Sequence, residues 1–216
     1  MAKTVTAAEM KERERAANEA GLLYIQMMEN AGRAAYAELK RRVPALRRLL
    51  IVAGKGNNGG DGFVMARVAA KEGVQVRVLL AEGEPKTADA QTNLARLAET
   101  AAEVVRDTEQ AAFGADAVVD ALYGTGFHGE LRPGGAAACA LMGRERERGA
   151  FVLALDLPSG VSADSGEVAE GAVQADATVT FDCTKPLHFA KASKPLCGAL
   201  VCADIGIGKV LGEHET

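Results

Sequence analysis

Leu49-Leu50-Ile51-Val52-Ala53-Gly54-Lys55-Gly56-Asn57-Asn58-Gly59-Gly60-Asp61-Gly62 decides how this chain is read. The apolar run Leu49 to Ala53 reads as a short buried strand, and it ends in a segment with five glycines in nine residues. Glycine has no Cβ, so such a segment lets the backbone approach a ligand closely. A helical pattern follows, expected to begin near Gly60. Asp61 is the unusual residue: a carboxylate at a helix N-terminus opposes a phosphate placed there, so the loop reads as more than a phosphate cradle.

Upstream, Thr6 to Ala20 and Tyr24 to Arg42 read as two helices. The second carries Leu23, Met27, Ala31, Ala34 and Ala35 near helical spacing, and Pro44 stops it. Downstream, short apolar runs alternate with helical segments. A helix is expected to Lys71, a strand at Val74 to Leu80, a helix over Ala88 to Glu99 and a strand at Glu103 to Val105. Then come a strand at Ala117 to Asp120, a helix to Arg148, and strands at Phe151 to Leu155, Ala177 to Phe181 and Leu200 to Cys202. This rhythm predicts an α/β fold, a mostly parallel sheet with helices on both faces and right-handed crossovers, preceded by two helices. One domain over residues 1–216 is expected.

With 48% hydrophobic and 25% charged residues, the composition is that of a globular protein able to bury a core. A net charge of -4 argues against a nucleic-acid partner. Cys139, Cys183, Cys197 and Cys202 show no C-x-x-C spacing, which predicts reduced thiols and a cytoplasmic location. No apolar run approaches the ~20 residues that span a bilayer, and residues 1–11 lack a signal-peptide core, so no membrane partner is expected. The charge runs Arg144 to Arg148 and Lys11 to Arg15 read as solvated helix surface with local ion pairs.

In open parallel sheets, ligands bind beyond the carboxyl ends of the strands. Four such ends carry polar residues here: the glycine segment after Ala53, Asp120 followed by Tyr123 to Glu130, Asp156 followed by Pro158-Ser159-Gly160, and Asp182 to Lys185. Three glycine-bearing loops beside carboxylates predict one shared ligand site. Asn58, Asp120 and Ser159 could offer three oxygens to a hard cation, and equally could bond their own loops. Gly54-x-Gly56-x-x-Gly59, with Glu82 near the next strand end, fits the dinucleotide fingerprint of a Rossmann NAD(P)-dependent oxidoreductase. Against that reading, Asn57 to Asp61 is polar where the fingerprint enters an apolar helix. Neither G-x-x-x-x-G-K-[ST] nor G-x-S-x-G occurs. His128, His188 and His214 lack metal-ligand spacing, and only His128 sits in a site loop.

Four segments together resemble the NAD(P)H-hydrate epimerases, also called the YjeF N-terminal domain. They are Met28-Glu29-Asn30-Ala31-Gly32, Gly56 to Gly62, Asp120-Ala121-Leu122-Tyr123-Gly124-Thr125-Gly126 and Asp156-Leu157-Pro158-Ser159-Gly160, in the family's order. The resemblance runs from about Thr6 to about Gly206. Leu157 stands where isoleucine is usual, and Thr184-Lys185-Pro186 matches the family's lysine-proline stretch only loosely. The resemblance implies a Rossmann-like three-layer fold, an isomerase that interconverts the R and S epimers of hydrated NADH or NADPH at C6 of the nicotinamide, and a homodimer. It further implies a potassium ion (K+) held by Asn58, Asp120 and Ser159. Substrate contacts are implied from Asn57, Asn58, Gly59, Gly60 and Asp61, from Gly124, Thr125, Gly126, Phe127, His128, Gly129 and Glu130, and from Asp156. Many members add a kinase-like dehydratase domain; none is expected here, so a separate epimer-specific dehydratase is the expected pathway partner.

Asp156 is the expected proton shuttle to the C6 hydroxyl, since it adjoins two site loops and is not assigned to the ion; acid function requires burial to raise an ordinary value of ~3.9, and ring opening is the alternative to hydroxyl loss. Asp120, beside potassium, is expected to stay ionised. Two other readings compete with the epimerase: the oxidoreductase above, and a non-catalytic nucleotide- or RNA-binding scaffold of the same fold.

Overall fold

The computed structural model describes residues 3–213. Seven parallel strands form one sheet: β1 (Arg48–Ala53), β2 (Gln75–Leu80), β3 (Glu103–Val105), β4 (Ala117–Ala121), β5 (Phe151–Leu155), β6 (Ala177–Phe181) and β7 (Ala199–Ala203). Their order is β3-β2-β1-β4-β5-β6-β7. The helices are α1 (Ala7–Glu19), α2 (Tyr24–Arg42), α3 (Asn57–Lys71), α4 (Ala88–Leu97), α5 (Thr108–Ala111), α6 (Pro133–Glu147) and α7 (Ile207–Val210). This is the expected Rossmann-like α/β architecture. The short α5 and the two 3-10 turns at Pro186–His188 and Lys194–Leu196 carry too few residues to show a period.

Central strands are buried on both sides, which is why they read as continuous apolar runs rather than alternating ones. Leu49, Ile51 and Ala53 face a core built with Met27, Ala31, Phe63, Met65, Ala90 and Leu97 from α2, α3 and α4. Leu50 and Val52 face the opposite core, with Ala111, Ala138, Leu141 and Met142 from α5 and α6. The order reverses between β1 and β4, which lie side by side in register from Leu49↔Ala117 to Ala53↔Ala121. Loops leave in opposite directions at such a reversal and open a crevice above the strand ends. The four polar ends flagged in the sequence belong to β1, β4, β5 and β6, which are consecutive neighbours in the sheet.

Helix α3 begins at Asn57 rather than near Gly60, with Gly56 as a cap that offers no side-chain bond. Asp61 therefore lies one turn inside the helix. Most of the glycines serve packing rather than ligand approach. A Cβ on Gly54 would sit 1.8 Å from the Leu122 carbonyl oxygen, and one on Gly59 would sit 2.2 Å from the Gly54 carbonyl oxygen. A Cβ on Gly56 would meet nothing within 4 Å. Gly59→Ala is accordingly expected to cost roughly 1–3 kcal/mol through a forced backbone shift, whereas Gly56→Ala leaves the thermal midpoint essentially in place. Thermal melting of the two variants checks the contrast.

Neither charge run is wholly solvated. Glu145 is fully buried, accepting from the Ala115 N–H at 3.2 Å and from Arg148 Nη1 at 2.6 Å, so it ties α6 to the start of β4. Arg13 pairs with Asp182 at 2.8 Å and Glu213 at 2.6 Å. Glu14, its neighbour, points into the crevice.

Candidate active site

A cavity of about 400 Å³ opens at the carboxyl ends of β1, β4, β5 and β6, a volume within the range of small-molecule sites. Asn57, Asn58 and Asp61 from α3, Gly124, Thr125, Gly126 and Phe127 from the loop after β4, and Asp156 after β5 all line it. Lys55, Glu82, Tyr123, Glu14 and Lys185 complete its polar wall. Gly129 and Glu130 line a neighbouring groove that meets the cavity at Phe127. Gly59 and Gly60 face protein instead: Gly59 abuts Gly54, and Gly60 abuts Met28 and Ala90. His128 is exposed outside the cavity lining. His214 lies outside the described residues.

Asp156 follows β5 in the left-handed region, with φ of 66°, an uncommon state for a residue with a side chain. Two bonds hold it there. Its N–H donates to the Val179 carbonyl at 2.7 Å, and its carbonyl lies 3.0 Å from His188 Nε2. The other ring nitrogen, Nδ1, accepts from the Lys185 N–H at 2.9 Å, so Nε2 carries the hydrogen and donates to Asp156. Burial depresses His188 to about 4, in keeping with a neutral imidazole used as a strut. His188 is thus structural. Local backbone strain of this kind is concentrated at functional sites, where surrounding contacts over-determine it.

The side chain of Asp156 meets an amine that the sequence left without a role. Lys185 is 1% exposed, and its Nζ donates to Asp156 Oδ1 at 2.6 Å and to Thr180 Oγ1 at 2.8 Å. Thr180 Oγ1 lies a further 3.0 Å from Asp156 Oδ1. Oδ2 faces Gly124, where an added Cβ would stand 3.6 Å away. One oxygen is committed to the ion pair and the other is turned toward the site loops. The position of Lys185 just past the end of an apolar run, following Asp182-Cys183-Thr184, was the signal available in the sequence; its burial and its partner were not.

Behind the cavity, Asp120 and Ser159 are fully buried. Asp120 Oδ1 accepts from Ser159 Oγ at 2.6 Å and Oδ2 accepts from the Ser159 N–H at 2.7 Å. Tyr123 ties this pair to Asn58: its N–H donates to Ser159 Oγ at 2.9 Å, and its carbonyl accepts from Asn58 Nδ2 at 2.9 Å. Burial pushes Asp120 up to about 6, against the bonds from Ser159 and Leu122. Among the described residues, four buried side-chain polar atoms lack a partner; two of them, Asn58 Oδ1 and Thr87 Oγ1, belong to residues lining the cavity. An orphan acceptor and hydroxyl at one site are positions a ligand can satisfy.

Glu14 was read as a solvated helix charge, yet burial pushes it up to about 7, with the negative charge of Asp156 adding and Lys185 opposing. Its ordinary value is 4.5. A raised folded value means that the unfolded chain ionises first as pH climbs from about 4.5 to about 7, so stability is lost across that window. Glu14→Gln lacks this loss. It is expected to melt above wild type at pH 8, by about 1–2 kcal/mol, with the gap closing by pH 4; thermal melts at the two pH values check it. Cys183 is 1% exposed and pushed up to about 12 by burial and Asp182, so it is an inert core thiol. All four cysteines are free.

A family profile described as YjeF-related protein N-terminus matches residues 24–187. This chain belongs to that family. It is 40% identical over 207 residues to an NAD(P)H-hydrate epimerase of Pirellula staleyi, covering 90% of this chain and 88% of that protein. It is 36% identical over 202 residues to a bifunctional NAD(P)H-hydrate repair enzyme of Coxiella burnetii, covering 93% of this chain. The match spans 41% of the Coxiella protein's own length. The fold of a yeast protein, ynu0 (YNL200c), superposes with a TM-score of 0.78 at 20% identity, over 94% of this chain and 88% of that one. Among the described residues, no helix is long and apolar enough to cross a membrane.

Proposed function

We propose that this YjeF-family chain is an NAD(P)H-hydrate epimerase that interconverts the R and S epimers of NADH or NADPH hydrate at C6 of the nicotinamide ring. The observation that carries the reading is convergence: Asn57, Asn58, Asp61, the Gly124 to Phe127 loop and Asp156 line one cavity, with Lys185 beneath it. The Pirellula relative, which the chain matches over most of both lengths, bears that activity in its name.

Inversion at C6 proceeds here by departure of the hydroxyl with the push of the ring nitrogen lone pair, through a planar cation that water attacks from either face. Asp156, fixed by Lys185 and by its backbone bonds, presents Oδ2 to the reacting carbon. Its negative charge favours the cationic intermediate, and it takes a proton from the attacking water. Phe127 stacks near Tyr123, ring centroids 5.1 Å apart, and gives the cavity an apolar wall for the ring.

A monovalent cation fits the residues behind that wall. Asn58 Oδ1 is an orphan oxygen, and Asp120 is a buried carboxylate with no basic partner among the described residues. Asn58, Asp120 and Ser159 would hold potassium, which when bound supplies fixed positive charge beside the substrate. The same reading includes a homodimer and a dehydratase acting on one epimer.

The decisive experiment incubates the protein with mixed epimers and an S-specific dehydratase, and follows the R epimer by chromatography. R is expected to disappear far faster than it converts spontaneously, and in H₂¹⁸O the recovered epimers carry the heavy oxygen. Loss of R at the spontaneous rate would remove the epimerase reading. Binding of RNA but not of hydrated dinucleotide would favour the scaffold, and light scattering reports the dimer.

A further inference from the structure

Asp156, Asp61, Glu14 and the amine of Lys185 line one cavity, in unlike environments. Asp156 is tied to Lys185 and Thr180. Asp61 and Glu14 line the same cavity, and together they also line a smaller one beneath α2, with Met27, Met28 and Phe181. Among the described residues, neither makes a side-chain hydrogen bond or ion pair that would commit it to the charged form. Loss and return of an oxygen at C6 needs one group that gives a proton to the departing hydroxyl and another that takes one from the added water. A carboxylate bound to a buried ammonium is suited to taking; a desolvated carboxyl among negative neighbours is suited to holding and giving.

On the epimerase reading above, we infer that Asp61 is the acid that protonates the departing C6 hydroxyl, and that Glu14, reaching in from α1, keeps the proton on it. In the step, the Asp61 O–H bond breaks as its proton joins the hydroxyl oxygen. The C6–O bond breaks and its electron pair leaves with the water formed, while the ring nitrogen lone pair forms the C=N bond of the planar cation. Water then adds to C6, its proton passing to the Asp156 carboxylate, and proton exchange with solvent through the open cavity restores the starting form. Asp61 is the catalytic residue of the pair; Glu14 acts through it and is a positioning residue.

Charge supports this division. Burial holds Asp61 well above the ordinary aspartate value, the charges of Asp156 and Glu14 raise it further, and Lys185 opposes them. The charged groups facing the pair are Lys11 on α1, Asp89 on α4, Asp156, Asp182 and Lys185, with Lys55 and Glu82 across the cavity. Glu14 thus contributes a like charge from a separate helix, as a carboxylate neighbour does in proton-sharing dyads.

The test is the pH dependence of kcat/KM for wild type, Asp61→Asn, Glu14→Gln and Glu14→Asp. Asp61→Asn is expected to lose roughly 10²–10⁴-fold. Glu14→Gln removes a like charge, so the alkaline limb moves down by about 1 unit, and Glu14→Asp moves it back. A merely structural Glu14 would leave the limb where it is, and the expected rise in the Gln variant's stability separates the shift from misfolding. Infrared difference spectra give a readout independent of turnover: at pH 8, above the range in which Glu14 titrates, wild type shows the carbonyl stretch of a protonated carboxyl group that Asp61→Asn lacks. Near-native turnover of Asp61→Asn, an unmoved limb in Glu14→Gln, or no such stretch in wild type would each overturn the assignment while leaving the epimerase reading intact. A wild type that carries the stretch but does not epimerise would overturn both.

Discussion

Asp156→Asn is expected to epimerise hydrated dinucleotide roughly 10²–10⁴-fold more slowly than wild type while its KM changes little. The substitution keeps the volume and the φ of 66°, because asparagine tolerates the left-handed region nearly as well as aspartate. On the proposed mechanism it removes negative charge and a proton acceptor at the carbon that inverts. On the proposed reading the loops after β1 and β4 hold the rest of the substrate, so binding survives and the loss falls on kcat. Chromatographic rates at saturating substrate, with isothermal titration for affinity, check the split. Near-native kcat would take Asp156 out of the chemistry.

Lys185→Met tests the same pair from the other side, and its main effect is on stability. Removing one partner of a buried ion pair leaves the other uncompensated, at a cost of about 3–5 kcal/mol for a dry site. Here Asp156 borders an open cavity and water softens the loss, so about 2–4 kcal/mol is expected. Turnover falls as well, since Oδ1 of Asp156 loses both its anchor and the charge that faces it. The double variant Asp156→Asn with Lys185→Met is expected to be more stable than the sum of the single losses, because no charge is then stranded, yet to stay as slow as Asp156→Asn alone. Denaturant midpoints for the four proteins give the coupling; strict additivity would mean that the two side chains do not act as a pair.

How much of this was legible depends on the distance over which each feature is encoded. Strands β1, β4, β5 and β6 were readable because two-sided burial writes itself as short continuous apolar runs. The loops after them were readable because turn chemistry and glycine are local. Lys185 was not, since nothing near it in sequence says that Asp156, 29 residues earlier, stands 2.6 Å away. Glu14 was hidden for a stronger reason: a charged residue in a charge-rich helix has a complete local explanation in ion pairs, and α1 lies outside the βα alternation that would have placed it.

The sequence by itself determined the alternation, the parallel sheet, the family and the loops that build the site, because periodicity, glycine and turn residues act through near neighbours. Only the tertiary structure decided what those residues do to one another. It showed that four of the five glycines, Gly54, Gly59, Gly60 and Gly62, leave no room for a Cβ against neighbouring protein atoms. It moved Asp61 one turn into α3, and set carboxyl groups from α1, α3 and the loop after β5 along one cavity with the buried amine of Lys185. Burial and charge are properties of groups brought together through space, and they separate a carboxylate tied to a lysine from carboxyl groups able to keep a proton.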